Sequence, residues 1–258
     1  MTKNERLARM RAYVKSQGTS TIQEIASYLG VSHMTIRRDL NTLIPGDPIK
    51  VIHGGVVYRE EESEQHSDRY CLQHAKNTMY EEKMRIAKKA VSLLEPDDII
   101  IIDAGSTGEF IASLLPEDIS LTVICYALNI AQVVAQKKNC SLIVAGGYFH
   151  QSSMVLESDE GLALLKQHRA NKTFITASGV NYELGVTCSN FFERTTKQTA
   201  LHSASTRILV ADSSKFGVVK PGHYADITDF NIIITDSNIE ANQKAPIEML
   251  GTITLYCV

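Results

Sequence analysis

The sequence predicts an α/β protein in two parts: a small N-terminal winged helix-turn-helix and a larger C-terminal domain built on a mostly parallel sheet. Three observations carry this. Helical periodicity with start and stop signals recurs three times in the first 43 residues, and two short β-rich pieces around a turn cluster follow it. From residue 99 onward, continuous apolar runs alternate with helical segments, as strands buried on both faces do in a βαβ chain. The 258 residues are long for one ordinary domain and ample for two. The expected division is a head at 1–58, a linker at 59–78 and a body at 79–258.

The elements follow in order. Leu7, Met10 and Val14 recur at i, i+3 and i+7 and predict a first helix over Lys3 to Ser16, ended by Gly18. Thr21 opens a second helix, and Glu24 three residues on completes a capping box. Ile22, Ile25, Ala26 and Leu29 form its apolar stripe, and Gly30 stops it. Ser32 caps a third helix running to Leu43, with Ile36, Leu40 and Leu43 facing inward. Pro45-Gly46-Asp47-Pro48 is a turn cluster between Ile49–Ile52 and, after Gly54-Gly55, Val56–Tyr58. The polar, acidic stretch from Arg59 to Arg69 reads as linker. A helix over Met79 to Leu94 opens the body. Strands are expected at Ile99–Ile102, Leu121–Cys125, Leu142–Ala145, Thr173–Ala177, Ile208–Ala211 and Ile232–Thr235, with helices at Gly108–Leu115, Ile130–Lys137 and Asp159–Gln167.

Composition narrows the function. Hydrophobic residues make up 44% and charged residues 21%, an ordinary globular balance. No apolar run is long enough to span a bilayer, and the charged N-terminus lacks the apolar stretch of a secretory signal, so a cytoplasmic protein without membrane association is expected. The five cysteines show no CxxC spacing and read as reduced thiols. The eight histidines show no paired-ligand spacing, so neither a metal nor a cofactor is expected. The net charge of −3 divides into +4 on residues 1–58 and −7 on the rest, a basic head on an acidic body, as when only the head meets a polyanion.

The third helix turns a polar face outward: His33, Thr35, Arg37, Arg38 and Asn41, with Ser32 at its cap. Arginine pairs bidentately with guanine, and hydroxyls suit phosphates or thymine methyls. A solvated helix face explains the two arginines alone, but not the ordered run of capped helix, glycine turn, capped helix and hairpin. Double-stranded DNA is therefore the expected partner. In the body, the first strand ends in Asp103-Ala104-Gly105-Ser106-Thr107-Gly108 before a helix. Such a turn offers free N–H groups and hydroxyls to an anion, and ligands of open α/β sheets sit at the carboxyl ends of strands. Asp103 could accept from a sugar hydroxyl. Asn129, Gly146-Gly147, Ser178-Gly179 and Lys215 also follow predicted strands. A plain strand-to-helix connection explains Gly105–Thr107 equally well, and a solvated surface lysine explains Lys215. Glu193 and Lys197, four apart, read as an exposed helix ion pair. Without GxGxxG or GxxxxGK[ST], no dinucleotide or P-loop nucleotide is indicated.

The run Ser32-His33-Met34-Thr35-Ile36-Arg37-Arg38-Asp39-Leu40 resembles the signature of the DeoR family of bacterial repressors, and His53-Gly54-Gly55 resembles its wing. The resemblance continues through Cys125–Asn129, Ala145–His150 and Asp212–Gly217, so it covers nearly the whole chain. It implies a sugar-phosphate-isomerase-like sensor body, a repressor of a sugar or nucleoside catabolic operon, and release from the operator by a phosphorylated sugar, deoxyribose-5-phosphate first. By residue it implies an effector site at Asp103, Gly105, Ser106, Thr107, Asn129, Gly147, Gly179 and Lys215, with Glu193 and Lys197 at positions typical of the family. Asp39 is expected to have a structural role, accepting hydrogen bonds or pairing with a neighbouring Arg within its helix, and not to face phosphate. The wing departs from the pattern, since Val51-Ile52 stand where a basic residue is common, which leaves Lys50 for phosphate. Two-fold operators imply a homo-oligomer. The alternative class is an enzyme, a sugar-phosphate isomerase or deaminase with a DNA-binding appendage; its general base would have to be Asp103 or Glu193.

Overall fold

The computed structural model describes residues 3–17, 19–40, 49–52, 55–58, 72, 75 and 78–258. Asn41, Leu43, the turn at 45–48, His53, Gly54 and the linker residues 59–71, 73, 74, 76 and 77 lie outside the described residues. The chain forms two compact units, residues 1–68 and 69–258.

In the first unit α1 (Lys3–Gln17), α2 (Ile22–Leu29) and α3 (His33–Leu40) surround one small core, with β1 (Thr19–Thr21), β2 (Ile49–Ile52) and β3 (Gly55–Tyr58) beside them. The capping box forms as expected: the Glu24 N–H donates to Thr21 Oγ1 at 3.2 Å and the Thr21 N–H to Glu24 Oε2 at 2.7 Å. Gly30, at φ +65°, takes the left-handed turn that ends α2, a conformation that costs a Cβ-bearing residue energy. Met10, Val14, Ile25, Ala26, Leu29, Ile36, Leu40 and Val56 are buried together. The sheet runs β1-β3-β2, all antiparallel. β1 is a strand the sequence did not announce. Three residues are too few for periodicity to register, and Thr21 serves at once as its last residue and as the cap of α2.

The second unit is built on a seven-stranded sheet. In chain order its elements are α4 (Tyr80–Val91), β4 (Ile99–Ile102), α5 (Ser106–Ser113), β5 (Leu121–Cys125), α6 (Leu128–Val134), β6 (Cys140–Val144), β7 (Tyr148–His150), β8 (Val155–Glu157), α7 (Asp159–Gln167), β9 (Ala170–Thr176), β10 (Gly179–Asn181), β11 (Gly185–Cys188), α8 (Glu193–His202), β12 (Ala204–Val210), β13 (Gly222–Ala225), β14 (Ile232–Thr235), α9 (Ala241–Met249) and β15 (Thr254–Cys257). The main sheet has the order β15-β14-β12-β9-β4-β5-β6, parallel throughout. Ile100, Ile101 and Ile102 are all fully buried, which is why β4 reads as an unbroken apolar run rather than an alternation. The expected strands all occur. The hairpin β7–β8, the small antiparallel sheet β10-β11-β13, and the final α9 and β15 are additions. The short strands among them carry too few residues to set a period, and Pro246 inside α9 argues locally against a helix. No described helix is long and apolar enough to cross a membrane.

The parallel arrangement brings the carboxyl ends of β12, β9, β4, β5 and β6 side by side along one edge of the sheet. The residues that follow those five strands share that edge whatever their separation in sequence.

Candidate functional site

On α3 the helix start is fixed by Ser32, whose Oγ accepts from the Thr35 N–H at 3.2 Å and lies 2.9 Å from the Thr35 hydroxyl. His33, Arg37 and Arg38 are exposed, Thr35 is half-buried, and Ile36 and Leu40 face the core. Met34, 72% exposed, lies among the polar residues, an apolar group presented to solvent. Asp39 is buried on the same face as Ile36 and Leu40, turned away from Arg37 and Arg38. It accepts hydrogen bonds from across the unit. Arg6 on α1 grips it with two bonds, Nε to Oδ2 at 2.5 Å and a terminal nitrogen to Oδ1 at 3.0 Å. This fork ties α3 to α1. The structure describes the backbone of Lys50 on β2.

At the carboxyl edge of the main sheet, Asp103 is completely buried. Its Oδ1 accepts from the Ala104 N–H at 2.8 Å and from the Tyr126 hydroxyl. Its Oδ2 accepts from the Thr176 N–H at 2.7 Å and from the Lys197 ammonium at 2.5 Å. The Thr176 hydroxyl stands 2.8 Å from both Oδ2 and the Ala104 carbonyl and can donate to one of them. With these donors, the carboxylate expected to take a sugar hydroxyl is engaged by the protein itself. Its work is to hold together the ends of β4, β5 and β9 with α8.

Lys197 and Glu193 are not the exposed pair that their spacing suggests. Their side chains are 3% and 9% exposed and stand 3.9 Å apart. Glu193 also accepts from Asn190 at 2.7 Å. Burial raises the Glu193 carboxyl above its ordinary range, although Lys197 opposes this. Burial alone would lower Lys197, but Asp103 and Glu193 outweigh it and the ammonium is held charged. Tyr224 donates to the Thr176 carbonyl at 2.7 Å, and burial raises both Tyr224 and Tyr126 well above the usual phenol range.

The other expected residues fall along this edge. Gly105 precedes α5 at φ +111°, which lets the chain turn from β4 into the helix. Ser106 and Thr107 form the first turn and are buried. Asn129, in the first turn of α6, donates through Nδ2 to Glu109 of α5 at 2.7 Å, and its buried Oδ1 has no partner. Gly147, at φ +148°, sits where a Cβ would come within 2.2 Å of the Glu157 carbonyl. Gly179 begins β10 and Lys215 ends a short 3₁₀ turn after β12. β12 and β6 are four strand steps apart, roughly 19 Å at the usual spacing. Gly147 and Lys215 thus flank a centre formed by Gly105–Thr107 and Asn129. The residues that the sequence reading missed here are Tyr126, Thr176 and Tyr224. Tyr126 and Thr176 stand at the ends of correctly expected strands, a signal that was available. Tyr224 lies on β13 and had none.

Residues 6–62 match the family DeoR-like helix-turn-helix domain, and residues 78–237 match the family DeoR C terminal sensor domain. The deoxyribose operon repressor of Escherichia coli (strain K12) is 34% identical over 234 residues, covering 91% of this chain and 90% of that one. The lactose phosphotransferase system repressor of Staphylococcus epidermidis is 32% identical over 248 residues, 95% and 96% of the two chains. Among solved structures, ribose 5-phosphate isomerase A of Methanocaldococcus jannaschii matches with a TM-score of 0.42 at 16% identity, over 54% of this chain and 55% of that one, too slight a likeness to bear on function.

Proposed function

The chain belongs to the DeoR family of transcriptional regulators, and on that premise we propose that it represses a sugar or nucleoside catabolic operon and releases the operator when a phosphorylated sugar binds its body. Residues 1–58 hold double-stranded DNA through Ser32, His33, Thr35, Arg37, Arg38 and Asn41, with Lys50 on phosphate. Residues 59–78 link this head to a sensor at 79–258. The effector lies against Gly105, Ser106, Thr107 and Asn129, with Gly179 beside them and Gly147 and Lys215 at the flanks. Asp103 shapes the site from behind. The protein acts in the cytoplasm as a homo-oligomer, and it is not an enzyme.

The observation that carries the effector site is the unpartnered Oδ1 of Asn129, buried next to the first turn of α5. A buried acceptor left without a donor costs about 1–3 kcal/mol. A sugar hydroxyl supplies that donor while the phosphate takes the N–H groups and hydroxyls of the Gly105–Thr107 turn. Deoxyribose-5-phosphate is the first candidate, because the relative named for the deoxyribose operon matches along nearly the whole chain. Effector binding favours one arrangement of the protein over another and so shifts the population away from the operator-holding one. A gel-shift titration of operator complexes with sugar phosphates tests the reading. Loss of the complex with deoxyribose-5-phosphate supports it, and indifference to every sugar phosphate sinks it.

A second reading rests on Glu193 and Lys197, buried ionisable groups whose pKa values are raised beside the buried Asp103, since such groups gather at catalytic sites. It makes the body an isomerase or deaminase. Turnover of ribose-5-phosphate or glucosamine-6-phosphate by the purified chain decides for it.

A further inference from the structure

A second buried lysine stands apart from this cluster. Lys83, in α4, is 2% exposed. Its ammonium donates to the carbonyls of Ala75 at 2.5 Å and Thr78 at 2.7 Å, and Asp212 Oδ2 lies 3.9 Å away. An ammonium is tolerated in an apolar interior only when its protons are used, and here two go to backbone carbonyls while the third faces Asp212. Ala75 and Thr78 belong to the chain that enters α4 from the DNA-reading unit. Leu72, earlier in the same stretch, donates its N–H to the Ser152 carbonyl at 3.0 Å. Asp212 opens the loop that carries Lys215: its carbonyl accepts from the Lys215 N–H at 3.0 Å, and its Oδ1 from Ser214. One buried charge therefore joins the approach from the head to the loop that flanks the effector site.

We propose that Lys83 is a positioning residue that couples anion uptake beside Lys215 to the stretch leading to the DNA-reading unit, by holding the carbonyls of Ala75 and Thr78. This rests on the reading of the body as an anion sensor. Burial pushes Lys83 down to about 8; Asp212 raises it, Lys215 lowers it further, and Glu82 of its own helix raises it. These three are the charged groups that face it among the described residues. An anion drawn in by Lys215 cancels the repulsion between the two lysines and tightens the hold on Ala75 and Thr78. The ligand need not touch Lys83.

The test uses the full chain as wild type, Lys83→Met and Lys83→Arg, with deoxyribose-5-phosphate as probe. Calorimetry reads ligand binding and gel shift reads operator release. Expected is a Lys83→Met protein that binds operator and sugar phosphate within about threefold of wild type but needs at least about tenfold more ligand for release, a typical coupling factor. Lys83→Arg, which keeps the charge, restores release. In the wild type, release weakens between pH 7 and 9 as Lys83 loses its proton, and Lys83→Arg lacks this weakening. That profile decides the matter if Lys83→Met fails to fold. Superimposable release curves for wild type and Lys83→Met overturn the proposal. So does a loss of ligand binding in proportion to the loss of release, which would make Lys83 a ligand contact. A wild type that binds no sugar phosphate refutes the sensor reading instead. The hold itself is then read without ligand, as amide exchange at Leu72: faster exchange in Lys83→Met supports it and equal rates refute it.

Discussion

Replacing Lys197 by methionine keeps most of the side-chain volume and removes the ammonium that donates to Asp103 at 2.5 Å and to the Thr176 carbonyl at 3.2 Å. Asp103 then remains wholly buried without its counter-charge, and breaking a buried pair from one side costs about 3–5 kcal/mol. Three neutral donors stay in place, from Ala104, Tyr126 and Thr176, each worth roughly 1 kcal/mol, so the loss should fall near the lower end of that range. For a unit of this size about 3 kcal/mol corresponds to roughly 6–12 °C in melting temperature. Calorimetry or urea unfolding of the full chain measures it. Adding Asp103→Asn should recover part of the loss. The amide oxygen can keep the Thr176 N–H while its nitrogen turns toward the Tyr126 hydroxyl, which can accept as well as donate. A loss below about 1 kcal/mol, in the range of exposed pairs, would refute the buried-pair argument, as would a double variant no more stable than the single one.

Arg37→Ala and Arg38→Ala should each weaken operator binding in gel shifts. A base reader loses about 1–3 kcal/mol and relaxes sequence preference, whereas a phosphate contact lowers the salt slope by about one. Arg6→Ala, which frees the buried Asp39 from its fork, should lower the urea midpoint of the first unit and reduce operator affinity although Arg6 lies on α1; an unchanged midpoint would refute the tie. Ser106→Ala and Lys215→Ala should diminish the thermal shift given by deoxyribose-5-phosphate. Burial pushes Cys125 up to about 12 and Cys188 up to about 11, so native protein at pH 8 should be alkylated at the exposed Cys257 before either of them. The folded-state values of both thiols lie above the ordinary 9.0. Their contribution to stability is thus complete below pH 9 and is lost as pH rises through about 11 to 12, which unfolding measured across that range checks.

The main sheet was legible because it is parallel. Strands covered on both faces cannot alternate polar with apolar, so runs such as Ile99–Ile102 stand out. The third helix was legible because its start and the core-facing Ile36 and Leu40 are local features. What escaped depends on pairing across the chain. β1 is a strand only because β3 lies beside it, and β10, β11 and β13 acquire a sheet only from one another. The site divided along the same line. Gly105–Thr107 and Asn129 follow visible strands. The burial of Lys197 and the occupation of Asp103 could not be read, because the spacing of Glu193 and Lys197 fixes a shared helix face without saying what that face meets. The structural role of Asp39 was legible, but Arg6, 33 positions away, could not be read as its donor for the same reason.

The donors that Asp103 needs set an order on the making of the protein. Lys197 follows it by 94 positions. At ribosomal rates of about 5–20 residues per second, roughly 5–20 s separate the two. During that interval enclosing β4 would leave the Asp103 carboxyl without its cation, to be protonated or kept in contact with water. β4, an inner strand of the sheet, therefore closes with its full set of donors only after most of the body has been translated. The segment that matches the helix-turn-helix family is by then already off the ribosome. For those seconds, each new copy carries its helix-turn-helix unit ahead of a sensor body that is still incomplete.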